Sequence, residues 1–169
     1  AAFMGCGAFA AYKIATSFPE LNIIIVILLS GLASALIGVF FGLPSLRIKG
    51  FYLAVATLAA QFFLNWSFNK IPWLYNYNTS GTIQAPPRTV FGYMVTGREA
   101  SAEVRYIVAL ALVVVFGIIA KNLVRGRTGR SWMAIRDMDI AAELIGIRPM
   151  RTKLMAFAVS SYYSGIAGS

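Results

Sequence analysis

The sequence predicts an all-α fold, a polytopic bundle of helices built to sit in a bilayer, and three observations carry that prediction. Of 169 residues, 59% are hydrophobic and only 12% are charged, whereas a soluble domain carries about 25% charged residues. Apolar runs recur along the chain, several approaching the roughly 20 residues needed to cross a hydrocarbon core. The cations are gathered between two such runs: Lys121, Arg125, Arg127, Arg130, Arg136, Arg148, Arg151 and Lys153. Such clustering marks a loop on the cytoplasmic side of a membrane.

Taken in order, residues 1–15 read as the back half of a first span. Residues 21–43, LNIIIVILLSGLASALIGVFFGL, make a full span. Residues 51–64 make a shorter one that either crosses or turns back. Residues 104–120 form the next, and 154–169 open another. The chain starts without Met inside one apolar run and stops inside another. It therefore reads as an internal piece of a longer membrane protein, a single domain over 1–169.

Alternation of spans gives an orientation that the charges support. With 121–153 cytoplasmic, 66–103 lies outside and PSLRIKG, with Arg47 and Lys49, lies inside. The outer segment is nearly balanced, holding Lys70, Arg88 and Arg98 against Glu99 and Glu103. Trp66, Phe68, Trp73, Tyr75 and Tyr77 at its start read as an interfacial aromatic belt.

Within the spans, small residues recur every fourth position: Ser30, Ser34, Gly38 and Gly42, then Ser161, Gly165 and Ser169. Stripes of this kind let helices approach closely where lipid supplies no hydrophobic drive between them. Gln61 and Asn65, four apart, share a helix face and need partners at membrane depth, either a neighbouring helix or a wet pathway. The outer loop YNYNTSGTIQAPPRTVFGYMVTG is long and rich in turn formers, and long ordered loops commonly carry function. Gln61, Asn65, Thr79, Ser80 and Gly81 are accordingly the candidates for a solute pathway.

Several function classes are excluded or disfavoured. With no His and one Cys, neither an internal disulfide nor a His/Cys metal site can be assembled. Cys6, flanked by glycines, reads as a small packing residue. The net charge of +9 and pI of about 10.1 do not indicate nucleic-acid binding, because the basic segment lacks interleaved aromatics or finger spacing. No Gly-Lys-Ser/Thr phosphate loop is present, so the chain does not hold ATP by itself. No span carries a central Asp, Glu or Lys, which argues against an ion-coupled secondary transporter.

The charged loop has its own logic. Thr128 or Ser131 is placed to cap a helix running to about Ile145, Gly146 to end it in the left-handed conformation, and Pro149 to prevent its resumption. Trp132, Ile135, Met138, Ala142 and Ile145 line one side of that helix, and Met133, Ile140 and Leu144 form a second ridge. Two apolar ridges need two surfaces, one within the bundle and one on a partner or the lipid interface. Arg136, Asp137, Asp139 and Glu143 lie between them, and three carboxylates disfavour simple attachment to anionic lipid. Docking into a partner's groove fits better. A metal or catalytic role for the carboxylates is disfavoured by Arg136 beside them and the absence of His.

RSWMAIRDMDIAAELIGIRPMRTKLMAFAVSSYYSGIAG resembles the cytoplasmic loop and following span of permease subunits in the branched-chain amino acid ABC importers, the LivM-type family. AAFMGCGAFAAY and LRIKGFYLAVATLA are similar to the same family at matching relative positions. Ala141, Ala142 and Gly146 resemble the Ala-Ala then Gly core of the loop through which such permeases contact their ATPases. The Glu that often precedes those alanines is Ile140 here, and NTSGTIQAPP stands where relatives often show Thr-Gly-Gly.

The resemblance implies a non-enzymatic transport subunit in a bacterial inner membrane, a fragment of a larger permease. It implies a periplasmic loop at 66–103 and a cytoplasmic loop with a coupling helix at 121–153. Arg136, Asp137, Asp139, Ala141, Ala142, Glu143 and Gly146 would form the ATPase-coupling loop. The implied partners are two ATP-binding cassette subunits carrying ATP and Mg, a homologous second permease, a periplasmic solute-binding protein and membrane lipid. The implied cargo is a branched-chain amino acid. Urea, amides or small carboxylates are the alternative within the same architecture.

Overall fold

In the computed structural model, residues 2–45, 51–72, 87–90, 93–96 and 101–169 are described. The elements run α1 (Ala2–Ser17), α2 (Ile23–Ser45), α3 (Phe51–Lys70), β1 (Arg88–Val90), β2 (Tyr93–Thr96), α4 (Ala102–Arg125), α5 (Arg127–Asp137), α6 (Asp139–Leu144) and α7 (Pro149–Gly168). Two of them, Ile23–Leu43 and Ala102–Arg125, are long and apolar enough to cross a membrane. Among the described residues the architecture is a membrane helix bundle with one small hairpin.

The start of α2 is set locally. Pro19 lies in the turn after α1, and Asn22 then accepts the amide of Ile24 on its side-chain oxygen at 3.2 Å. That bond satisfies one of the free N–H groups every helix start exposes. The run that follows, apolar apart from Ser30, Ser34 and a few glycines, holds no proline before Pro44.

The bundle is organised by α1, α2 and α7, each packed on the other two. The two small-residue stripes meet. Gly38 of α2 faces Ser161 of α7, and Gly42 faces Phe157 and Leu154. A methyl group at Gly165 would overlap the side chain of Ser34 and sit 3.2 Å from the Cα of Gly31. The backbones meet because nothing projects between them. Ser30 and Ser34 are fully enclosed. Ser30 donates within its own helix to Ile27 O at 2.8 Å, and Ser34 donates across to Phe3 O on α1 at 2.9 Å. Both of these hydroxyls thus have an acceptor, as a site without water requires.

On the other side of α1, Ala2, Cys6 and Leu64 of α3 form a buried cluster, covered by Phe3, Ile37, Phe41 and Phe68. Cys6, 3% exposed, is a packing residue here. Phe9 stacks on Phe68 with ring centroids 4.8 Å apart. Phe68 is therefore turned into the bundle and does not belong to an outward aromatic belt. Trp66, 59% exposed, does face outward. Trp73, Tyr75 and Tyr77 lie outside the described residues.

The helix over the third apolar run extends further than that run suggests. α3 continues through Asn65 and Ser67 to Lys70 as one uninterrupted helix of 20 residues, about 30 Å long at 1.5 Å per residue. It is neither broken nor turned back. Polar side chains there do not oppose helix formation; they only lower the apolarity of its end. Beyond it lies an antiparallel hairpin with Arg88 opposite Thr96, Thr89 opposite Met94 and Val90 opposite Tyr93. β2 rests on α4, β1 touches α2, and Val95 is buried.

Candidate functional site: the α4 to α7 loop

The segment after α4 does not form one helix. α4 ends at Gly126, whose amide donates to Asn122 O at 3.0 Å and Leu123 O at 3.3 Å. α5 begins at the next residue and folds back so closely that a Cβ at Gly129 would collide with the backbone of Val124. The helix start falls on Gly126, not on Thr128 or Ser131. Ser131 lies inside α5 and donates to Arg127 O at 3.1 Å.

At Met138 the backbone leaves the helical region, with φ −150° and ψ 100°. One helix to Ile145 is thus replaced by two, α5 and the short α6. Met138 still takes part in both: its amide donates to Ala134 O and its carbonyl accepts from Ala142, each at 3.0 Å. The residue is a pivot that keeps its hydrogen bonds.

α6 ends as the sequence predicts. Gly146 has φ 86°, its amide donates to Glu143 O at 3.0 Å, and the amide of Ile147 reaches back to Ala142 O at 3.1 Å. This is a Schellman closure, which satisfies the last carbonyls of the helix. Pro149 has a different part from the one expected. It occupies the first turn of α7, where its missing N–H costs nothing and its fixed φ suits the helix.

The break redistributes the two apolar ridges. Gly129 and Ile135 are buried, Trp132 is half-buried, and Ala142 is 2% exposed; α5 packs on α4 and α7, and α6 on α7. Met138, Ile140, Leu144 and Ile145 are 69%, 79%, 85% and 74% exposed, with Met133 also outward. Met138 and Ile145, which spacing grouped with Trp132, Ile135 and Ala142 on one side, therefore part from them and join Ile140 and Leu144 on the exposed surface. Four large apolar side chains on so short a segment make a projecting apolar knob.

The other candidates fall as follows. Arg136 pairs with Asp137 at 3.0 Å, both well exposed, so this ion pair contributes little stability. Ala141 and Glu143 are exposed, and Asp139 opens α6 with its side chain outside the described part. Ala142 faces inward and supports the loop from within. Gln61 is half-buried and Asn65 exposed on continuous α3, with Asn65 O accepting from the Asn69 side chain at 2.8 Å. Thr79, Ser80 and Gly81 lie outside the described residues. The GRTGRS run directly after the fourth apolar stretch, whose two glycines read as a hinge, is where the elbow at Gly126 and Gly129 falls.

Interlocking small-residue helices and two helices of lipid length define a helix bundle of the membrane-protein class. The entire chain, residues 1–169, matches the family described as branched-chain amino acid transport system / permease component, and it belongs to that family. It is 32% identical over 167 residues to the high-affinity branched-chain amino acid transport system permease protein LivM of Escherichia coli K12, the match covering 83% of this chain and 37% of that protein. The LivM protein of Salmonella typhimurium LT2 is similar to the same degree, with the same coverage. The chain thus spans little more than a third of the length of these relatives. No solved structure matches it.

Proposed function

We propose that this chain is part of a transmembrane permease subunit of an ATP-binding cassette importer that carries branched-chain amino acids across the bacterial inner membrane. The observation that carries the reading is the knob of Met138, Ile140, Leu144 and Ile145, exposed on a segment bracketed by a pivot and a Schellman turn, in a chain of the permease family. Such a surface suits a hydrophobic groove on a partner, and two ATPase subunits holding ATP and Mg are that partner in this reading. The Arg136–Asp137 pair and Glu143 beside the knob would select the partner more than tighten the contact.

The cytoplasmic placement of 121–153 and the periplasmic placement of 66–103 follow the distribution of Lys and Arg. A push on α6 would reach α7 and α5 through their packing, and α4 through the elbow. A periplasmic binding protein would deliver solute to the outer face, a homologous permease would complete the pathway, and Gln61 and Asn65 on α3 are the described residues offered to it. The test is expression of the complete reading frame with and without the candidate ATPase and binding protein, followed by uptake of labelled leucine and labelled urea. ATP-dependent leucine uptake is expected. ATP-independent uptake by the permease alone overturns the subunit reading, and uptake of urea alone overturns the solute.

A further inference from the structure

The break at Met138 separates the charged loop into halves of different chemistry. Asp137, Asp139 and Glu143 all lie at or beyond the end of α5. Before them, from Val104 to Arg136, there is no carboxylate in the sequence. Lys121, Arg125, Arg127 and Arg130, all exposed, surround the elbow where α5 folds back on α4. Among the described residues none of these four forms an ion pair. The elbow holds its place through the Gly126 bonds and the seat of Gly129 on Val124, so the cations are clustered on a defined corner.

That corner terminates a helix with no buried residue. Leu110, Val113, Val114, Val115, Ile118 and Ile119 are between 48% and 69% exposed. One leaflet's hydrocarbon is about 15 Å deep, which ten residues of α helix match. The wall from Leu110 to Ile119 is therefore as long as an acyl chain, and its lower end meets four uncompensated cations.

We propose that the α4–α5 elbow binds an anionic phospholipid, its phosphate on Arg125, Arg127 and Arg130 and its acyl chains along α4. The proposal rests on α4 crossing the membrane. The carboxylates that disfavour lipid attachment of the loop as a whole begin only at Asp137, the last residue of α5, and the other two lie beyond Met138. Charge complementarity selects an anionic over a zwitterionic headgroup, and the apolar wall selects a lipid over a free anion. The elbow and the knob then divide the loop, one holding to the bilayer and the other to a protein.

The test uses the complete permease, purified and placed in phosphatidylcholine nanodiscs, with energy transfer from tryptophan to dansyl-labelled phosphatidylglycerol as the readout. Unlabelled phosphatidylglycerol should displace the probe, and phosphatidylcholine or inorganic phosphate should not. Arg127→Gln with Arg130→Gln should weaken binding on the order of tenfold, while Arg127→Lys with Arg130→Lys should bind nearly as the parent does. The double Gln variant leaves Lys121, Arg125, Arg148, Arg151 and Lys153 to maintain topology. Equal displacement by phosphatidylcholine, displacement by phosphate, or unchanged binding in the double Gln variant overturns the proposal. Loss of ATPase copurification with lipid binding intact also overturns it and assigns the elbow to the protein interface. Failure of leucine uptake with selective lipid binding intact counts against the transport reading and leaves this one standing.

Discussion

The hydroxyl of Tyr163 on α7 donates to the backbone carbonyl of Phe116 in the middle of α4, at 3.1 Å. α4 buries no residue, and this bond, with the edge-on contact of the Tyr163 and Phe116 rings at 5.7 Å, ties its centre to the α1, α2 and α7 unit. Phe116 lies midway along a helix long and apolar enough to cross a membrane, and within a bilayer water does not replace a lost acceptor.

Tyr163→Phe should keep the ring contact and lose the bond. Interhelical hydrogen bonds in membranes are worth about 0.6 kcal/mol on average and up to about 1.7 kcal/mol, so a small but measurable drop in unfolding free energy is expected. Tyr163→Ala should cost more, because the contacts with Phe116 and Tyr162 go as well. Hydrogen exchange along α4 should rise in the same order. Equal stability of Tyr163→Phe and the parent would show that the bond holds nothing.

Gly165→Ala should be among the most damaging methyl additions in the chain. The new Cβ meets the Ser34 side chain and the Gly31 backbone, and overpacking of this kind costs roughly 1–3 kcal/mol. Gly117→Ala is the contrast, since a Cβ there meets nothing within 4 Å. It should be neutral or stabilise by up to about 1 kcal/mol through helix propensity. Thermal unfolding of the two variants side by side checks the prediction; equal losses would mean that the stripes are not in close contact.

Gly146→Ala should loosen the end of α6. At φ 86° a side chain is strained by about 1–2 kcal/mol, whereas Gly146→Asn should cost less because Asn tolerates that region. The readout is local: the amides of Gly146 and Ile147, held by Glu143 and Ala142, should exchange faster in the Ala variant. Unchanged exchange would mean that the turn does not depend on glycine.

What the sequence made legible was what periodicity and backbone stereochemistry encode directly. The stripes that include Ser34, Gly38, Ser161 and Gly165 repeat at helical spacing and meet in the structure, and Gly146 adopts the left-handed turn expected of it. The break at Met138 was not legible, because no Pro or Gly marks it and the apolar spacing continues through it. The end of α3 was missed because Asn65, Ser67 and Lys70 interrupt apolarity, which limits a span but not a helix. The hairpin was legible in principle from Thr89, Val90, Val95 and Thr96, β-branched residues on either side of Phe91-Gly92. At the candidate site, the grouping of Met133, Ile140 and Leu144 in one ridge was legible from spacing, and all three are exposed. The grouping of Met138 and Ile145 with Trp132, Ile135 and Ala142 fails, since the helix breaks at the pivot.

The sharpest test of the knob exploits the opposite burial of neighbouring residues. Leu144 is 85% exposed and Ile140 79%, while Ala142 between them is 2% exposed. Leu144→Asp and Ile140→Asp change only the outer surface, where substitutions usually stay within about 0.5 kcal/mol. They should leave melting of the isolated permease unchanged and remove copurification with the ATPase. Ala142→Arg forces a long charged side chain into the contact with the rest of the bundle, so it should lower stability and lose the ATPase together. If Leu144→Asp and Ile140→Asp both retain full ATPase association, the exposed ridge is not the docking surface, and coupling must run through other residues of the loop.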